Sequence, residues 1–537
     1  MEVTNMQKTL GIMIDCSRNA VMRPEKVKEF AKTISDMGYN MLQLYTEDTY
    51  EMEGEPFFGH FRGRYSQEEL KDIDAYCASI GVELVPCIQT LAHLNQIQQW
   101  VPYGDMFDCN DILMAGDERV YDLIEKMFAT LDKCFTSRRV NVGMDEAHFL
   151  GRGRYQDEHG YRNRVDILTE HLARVKEIAD KYGFTLMMWS DMFIRLHCNG
   201  EYYGENIKIP QETIDNVPEG IELIYWDYYS KDKNRYDHML KTHLDFNNPI
   251  GFAGGIWTWT GYAPNMAYSM DATEAAMRSV GEHSIDTVFF TMWGDDGKDC
   301  SYFSMIPVLF AAAQMAQGNF DRKDIADKFA KKYGYAFEEF MNLELPNITK
   351  EEDSHYHNPS KYLLYNDPFL GTFDFTVPED LWERYTVAKE LLVTSINGRQ
   401  YDYLFDMEVK LLEVLALKAD LGTRIRKAYT AGDKVMLQTI VDEDMPRTRQ
   451  AIKVFAESFR TLWLTENKSF GLEVQEQRLG GMMYRMETCE NRLRNYLDGK
   501  LPCIEELDAD NPDRWEGFAG EGVTYNNWKQ TVTVSVI

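Results

Sequence analysis

Eight short apolar runs, separated by amphipathic stretches, set the pattern of the first 315 residues. They are "LGIMID" (10–15), "NMLQLYT" (40–46), "VELVPCI" (82–88), "RVNVGMD" (139–145), "TLMMWSD" (185–191), "IELIYWD" (221–227), "GFAGGIW" (251–257) and "TVFFTMW" (287–293). Runs of this length between polar turns predict strands buried on both faces. The intervening segments predict helices. "RPEKVKEFAKTISDMG" places Pro24 at a first helical position and Gly38 at the stop. "SQEELKDIDAYCASIG" opens with a capping box, Ser66 and Glu69, and closes at Gly81; "VDILTEHLARVKEIADKYG" stops at Gly183. Eight buried strands alternating with helices predict an α/β chain whose residues 1–315 form a parallel (β/α)8 barrel.

After residue 315 the strand signals fade. "LWERYTVAKELLVTSIN", "YDYLFDMEVKLLEVLALKADLGTRIRKAYTAG" and "MPRTRQAIKVFAESFRTLWLTENK" read as long amphipathic helices. "GLEVQEQRLGGMMYRMETCENRLRNYLDG" follows, with Gly480-Gly481 as a candidate break. A mainly α-helical C-terminal domain is therefore expected over 316–537, including an irregular, aromatic-rich connection at 351–378. The final "GVTYNNWKQTVTVSVI" alternates like a strand but has no place in this scheme.

Active sites of such barrels lie at the carboxyl ends of the strands. In order, those ends supply Asp15 and Arg18, Glu47 and Asp48, His93, and the pair Asp145-Glu146. The last four supply Trp189 with Asp191, Trp226 with Asp227, Trp257 with Trp259, and Trp293 with Asp295. Five of the ten tryptophans thus fall at one structural level. An aromatic wall beside carboxylates and an arginine suits a pyranose, whose C–H faces stack while its hydroxyls bond to charged groups. A Gly-rich phosphate loop at a helix amino terminus is not found in that setting.

Composition narrows the partners. With 57 basic and 87 acidic residues the formal charge is −30, which repels nucleic acid and anionic lipid, so neither nucleic acid nor membrane is expected as a partner. The nine cysteines form no CxxC pair and no cluster at zinc spacing, so reduced thiols, no metal and no cofactor are expected. "MEVTNMQKTLGIMID" lacks a basic region followed by an apolar one, and no apolar run approaches the ~20 residues of a membrane span. A cytoplasmic location follows as the working expectation.

Adjacent acids at a strand end repel each other and lose hydration. Burial and repulsion together would raise the pKa of one of them, as a general acid near neutral pH requires. Glycosidases usually place two carboxylates on opposite sides of the scissile bond, which sequence neighbours do not readily do. A substrate whose own 2-acetamido oxygen is the nucleophile removes that requirement.

The set "IDCSR", "LYTEDTYE", "QTLAHLNQ", "VGMDEAH", "MMWSDMF", "YWDYY" and "MWGDDG" resembles the catalytic barrel of family 20 glycoside hydrolases, the β-N-acetylhexosaminidases. The resemblance covers about residues 9–300. The helical region resembles the C-terminal domain of a compact bacterial branch without the amino-terminal α/β domain. The resemblance implies an exo-acting retaining enzyme that removes terminal β-linked GlcNAc or GalNAc through an oxazolinium intermediate. It implies Glu146 as general acid/base and Asp145 as the residue orienting the acetamido group. His93, with Glu47 or Asp48, would form a relay that positions the acid. Arg18 would hold outer hydroxyls, Trp189, Trp226 and Trp293 would wall the acetamido pocket, and Asp295 would bind a sugar hydroxyl. Trp257 and Trp259 join the substrate-binding candidates as part of the aromatic wall. The family's tyrosine after strand seven is missing from "GGIWTWTGY"; Tyr228, Tyr262 and Tyr365 are the candidates to replace it. Two other readings stay open: a metal-dependent barrel enzyme acting on sugars, and a carbohydrate-binding protein without catalysis. The helical domain could either close the pocket or mediate a homodimer.

Overall fold

The computed structural model describes residues 8–204, 207–349 and 357–510, with isolated positions at 529, 532, 533 and 535. The chain packs as two compact units. The first takes in the chain up to Ile256, then Ser269–Trp293 and Val308–Ile325. The second takes in Trp257–Tyr268, Gly294–Pro307 and the chain from Ala326 onward.

The first unit is a closed parallel barrel of eight strands, each beside its sequence neighbours. They are β1 (Thr9–Asp15), β2 (Met41–Tyr45), β3 (Glu83–Cys87), β4 (Arg139–Asn141), β5 (Thr185–Trp189), β6 (Glu222–Trp226), β7 (Ile250–Gly255) and β8 (Thr287–Met292). Closure comes from β8 pairing with β1, from Thr9 opposite Thr287 to Ile14 opposite Met292. All eight apolar runs form strands, and pairing in the closed sheet satisfies their buried backbone groups. Ile12, Ile14, Leu42, Val85, Met187 and Phe290 are among the side chains with no exposed surface. Full burial of such a side chain is worth about 1.5–3 kcal/mol.

The helix signals hold as well. Pro24 opens Pro24–Ser35. Ser66 caps Gln67–Ser79, accepting from the Glu69 N–H while the Glu69 carboxylate accepts from the Ser66 N–H. One strand is shorter than expected. β4 stops at Asn141, four residues before Asp145: Val142 and Gly143 still bond to β5, but Gly143 (φ +74°) and Met144 (φ +69°) turn left-handed and end the extended run. The Asn141 side chain accepts from the Gly143 N–H and seals the break.

The second unit is mainly helical, with Leu381–Val393, Asp402–Lys418, Leu421–Ala431, Met445–Glu466 and Leu472–Leu497 as its long elements. The apolar stretch 401–432 divides at Ala419–Asp420 instead of running through. Gly480-Gly481 does not break its helix, which continues from Leu472 to Leu497. A mid-helix glycine costs only about 1 kcal/mol, and the buried face from Leu472 to Leu493 outweighs that. All nine cysteines are free and six are buried. No described helix is long and apolar enough to cross a membrane. The strand-like stretch 522–537 lies almost wholly outside the described residues.

Candidate active site

The barrel gathers His93, Asp145 and Glu146 at the carboxyl ends of β3 and β4. His93 Nε2 lies 3.3 Å from Asp145 Oδ2 and 3.7 Å from Glu146 Oε2. On its other side Nδ1 lies 3.8 Å from Asp111 Oδ2, which also accepts from the His93 backbone N–H at 3.1 Å. The partner expected for His93 was Glu47 or Asp48, and the structure corrects this. Glu47 binds Arg18 Nε at 3.0 Å and accepts from the Tyr45 hydroxyl at 3.1 Å, while Asp48 binds Arg62. The partner is Asp111 because the long connection between β3 and β4 folds back beside His93.

Two side chains that the sequence reading gave no role complete the arrangement. Gln89, fully buried, donates from Nε2 to Asp145 Oδ1 at 2.8 Å and to the Tyr45 hydroxyl at 3.0 Å. Its carbonyl oxygen accepts from the Met144 N–H. Asp191, also fully buried, accepts from the Glu146 N–H at 3.2 Å and from Arg195 Nε at 3.1 Å. A buried amide two residues past a strand end, and an acid directly after a strand-end Trp-Ser, were the available signals.

The backbone here is strained. His93 (φ +59°), Met144 (φ +69°) and Glu146 (φ +54°) all sit in the left-handed region. Each such residue costs on the order of 1–3 kcal/mol and persists only where its surroundings over-determine it. A larger residue at Gly143 would be strained at φ +74° and would displace Gln89, whose carbonyl oxygen would lie 2.1 Å from its Cβ. The result splits the acid pair. Asp145 is buried, whereas the Glu146 side chain keeps 43% of its surface open.

The two acids therefore differ electrically. Burial works to raise the Asp145 carboxyl, but the neighbouring His93 charge and the Gln89 bond outweigh it and hold Asp145 below the usual range. The neighbouring Asp191 carboxyl is lifted. Burial, reinforced by the Asp145 charge, takes Asp191 to about 7 despite Arg195. For His93, burial favours the neutral ring, yet the Asp145 carboxylate wins and raises it to about 9.

A pH dependence follows. His93 holds its proton more tightly folded than unfolded, so its contribution to stability is complete below about pH 6.5 and is lost as pH rises through about 9. Asp145 contributes above its ordinary value of 3.8 and loses that contribution in acid. Urea midpoints of the wild type should fall relative to those of His93→Gln between about pH 6.5 and 9. Parallel curves for the two proteins would sink this expectation.

Aromatic side chains of the same unit lie around the barrel end. Trp293 meets Trp189 at 6.1 Å and Tyr45 edge-on at 4.8 Å. Its indole N–H donates to the Tyr228 hydroxyl at 3.2 Å, and Tyr228 stacks on Trp226 at 5.3 Å. Arg18 lies over both Tyr45 and Trp293 at about 5 Å, and also binds Asp15. Arg18, Trp189, Trp226, Tyr228 and Trp293 are thus all part of the barrel unit. Trp257, Trp259 and Asp295 belong to the second unit, where the two tryptophans stack at 4.2 Å. Tyr262 and Tyr365 also lie there, hydroxyl to hydroxyl at 2.8 Å.

A held carboxylate beside a solvent-open carboxyl, an imidazolium and an aromatic surface can bind a neutral ring and transfer a proton to it. Comparison with known proteins narrows the family. Residues 10–235 match the catalytic domain model of glycosyl hydrolase family 20, and residues 336–517 match the glycoside hydrolase 20C C-terminal domain model. The chain belongs to glycoside hydrolase family 20.

Family 20 relatives are distant in sequence. Human hexosaminidase D is 20% identical over 201 residues, 36% of this chain and 39% of that protein. A beta-hexosaminidase of Akkermansia muciniphila is 25% identical over 167 residues, 26% of this chain and 34% of that protein. The chain thus spans well under half of either relative. Among solved structures, the family 20 exo-β-N-acetylglucosaminidase of Vibrio harveyi aligns with a TM-score of 0.47 at 14% identity, over 63% of this chain and 58% of that one.

Proposed function

We propose that this family 20 chain is an exo-acting retaining β-N-acetylhexosaminidase that removes terminal β-linked GlcNAc or GalNAc with the substrate's acetamido oxygen as nucleophile. The observation that carries the reading is the split pair: Asp145 kept anionic and buried by His93 and Gln89, and Glu146 beside it turned to solvent. Glu146 protonates the glycosidic oxygen, then takes a proton from the water that opens the oxazolinium ring. Asp145 accepts from the acetamido N–H and offsets the positive charge as it develops. His93 holds both acids in register.

Arg18, fixed by Asp15 and Glu47, presents its guanidinium to outer hydroxyls. Trp189, Trp226 and Trp293 supply the acetamido wall. Tyr228 is the tyrosine proposed to meet the acetamido group, because it stands in the barrel unit, accepts from the Trp293 N–H and stacks on Trp226.

Aryl glucosaminides with successively fluorinated N-acetyl groups test the mechanism. Fluorine withdraws electrons from the acetamido oxygen, so kcat/KM should fall at each step. A flat series, or efficient cleavage of aryl glucosides, would overturn it.

A further inference from the structure

Asp191 opens the short helix Asp191–Arg195, immediately after β5. An acid in a first helical turn ordinarily faces the helix's own free N–H groups, which gains from the helix dipole. Asp191 does not. Its side chain is wholly buried, and both bonds made by Oδ2 go elsewhere, to the Glu146 N–H and to Arg195 Nε. Oδ1 is buried without a hydrogen-bond partner. Arg195 is itself placed by Gly200, whose carbonyl accepts from it at 3.0 Å, and it lies over the rings of Tyr202 and Trp226.

This is a poor position for a carboxylate by any criterion of stability alone. It stands close enough to Asp145 and Glu146 for both charges to act on it, it has given up water, and one of its oxygens is unpartnered. The gain is local to one peptide group. Glu146 carries a left-handed backbone at φ +54°, which a β-carbon resists. The Asp191 bond to its N–H is a side-chain constraint on that rotation. The neighbouring Met144 N–H is held in the same manner by Gln89. The acid loop is thus held from two other strands, by an amide after β3 and a carboxyl after β5.

We propose that Asp191, steadied by Arg195, is a positioning residue for Glu146: its carboxyl oxygen holds the Glu146 backbone in the left-handed conformation that aims the acid at the glycosidic oxygen. The inference rests on the reading of Glu146 as the acid. Asp191 touches no reacting atom, so its removal harms only steps that need an aimed proton.

The test is Asp191→Ala on a series of β-N-acetylglucosaminides of differing leaving-group acidity. A misaimed acid costs about 100-fold where protonation is required, as for an alkyl or disaccharide leaving group. In kcat/KM, which ends at departure of the leaving group, it costs less than about 5-fold for dinitrophenyl, which departs without a proton. Asp191→Asn keeps an oxygen of the same shape and should restore the alkyl rate to within about 5-fold of wild type. An equal loss across the series, or no loss, would overturn the proposal. A crystal structure of Asp191→Ala in which Glu146 keeps its φ and its carboxyl position would overturn it independently of any substrate. If Asp191→Ala does not fold, Arg195→Met should show the same selective loss, and a uniform loss there would count equally against it. A wild type that cleaves no member of the series, with Glu146 displaced in the variant structure, would refute the proposed activity and leave the positioning intact.

Discussion

Glutamine in place of Glu146 is expected to lower kcat on an alkyl or disaccharide β-N-acetylglucosaminide by about 10³-fold while KM stays within a few-fold. Glutamine keeps the volume and one acceptor oxygen but cannot give a proton. The Glu146 side chain keeps 43% of its surface open and glutamine has the same shape, so the fold should tolerate the change. The loss in kcat/KM should shrink with a dinitrophenyl leaving group, while kcat stays low and an oxazoline accumulates, because the same carboxylate is needed to activate water. Steady-state rates with both leaving groups, and product analysis by NMR, decide the matter. A variant within tenfold of wild type on the alkyl glycoside would remove Glu146 from the mechanism.

The second large effect belongs to Asp145. Asparagine there should cost about 10²–10³-fold in kcat, because a neutral amide no longer offsets the charge of the oxazolinium ring. Unlike the loss at Glu146, it should be nearly independent of the leaving group. The same substitution has a readout that needs no substrate. The Asp145 carboxylate is the main force holding His93 at about 9, so in Asp145→Asn the imidazole should titrate much nearer its ordinary 6.5. NMR titration of the ring protons measures this. A His93 that still titrates near 9 would mean that Asp111 and Glu146 hold the proton instead, and that the electrostatic account of Asp145 is wrong.

What the chain disclosed before folding was what depends on near neighbours. The eight strands came from runs of apolar residues, and the helix starts came from Pro24 and from the Ser66–Glu69 box, all local signals. The acid pair was visible for the same reason. The partnerships were not. His93 turns to Asp111, eighteen residues on, because a connection folds back; no spacing rule selects Asp111 over Glu47. Gln89 and Asp191 meet the acid loop only when β3, β4 and β5 stand side by side. The electrostatics of Asp145 was hidden for that reason too: a buried imidazole and amide, brought in from the chain after β3, hold its carboxyl below the usual range. The end of β4 was misplaced because left-handed residues at Gly143 and Met144 leave no mark on hydropathy.

The left-handed turn through Gly143, Met144 and Glu146 also decides how portable this acid pair is. The letters G-M-D-E are held in shape by two side chains 54 residues before and 45 residues after them, counted from Gly143 to Gln89 and from Glu146 to Asp191. Grafted into another barrel without both, the turn should relax to an ordinary strand exit and point the glutamate elsewhere. Recombination between related barrels would face the same constraint: a crossover that separates Gln89 from Gly143, or Glu146 from Asp191, splits one inherited device into two fragments that have no use alone.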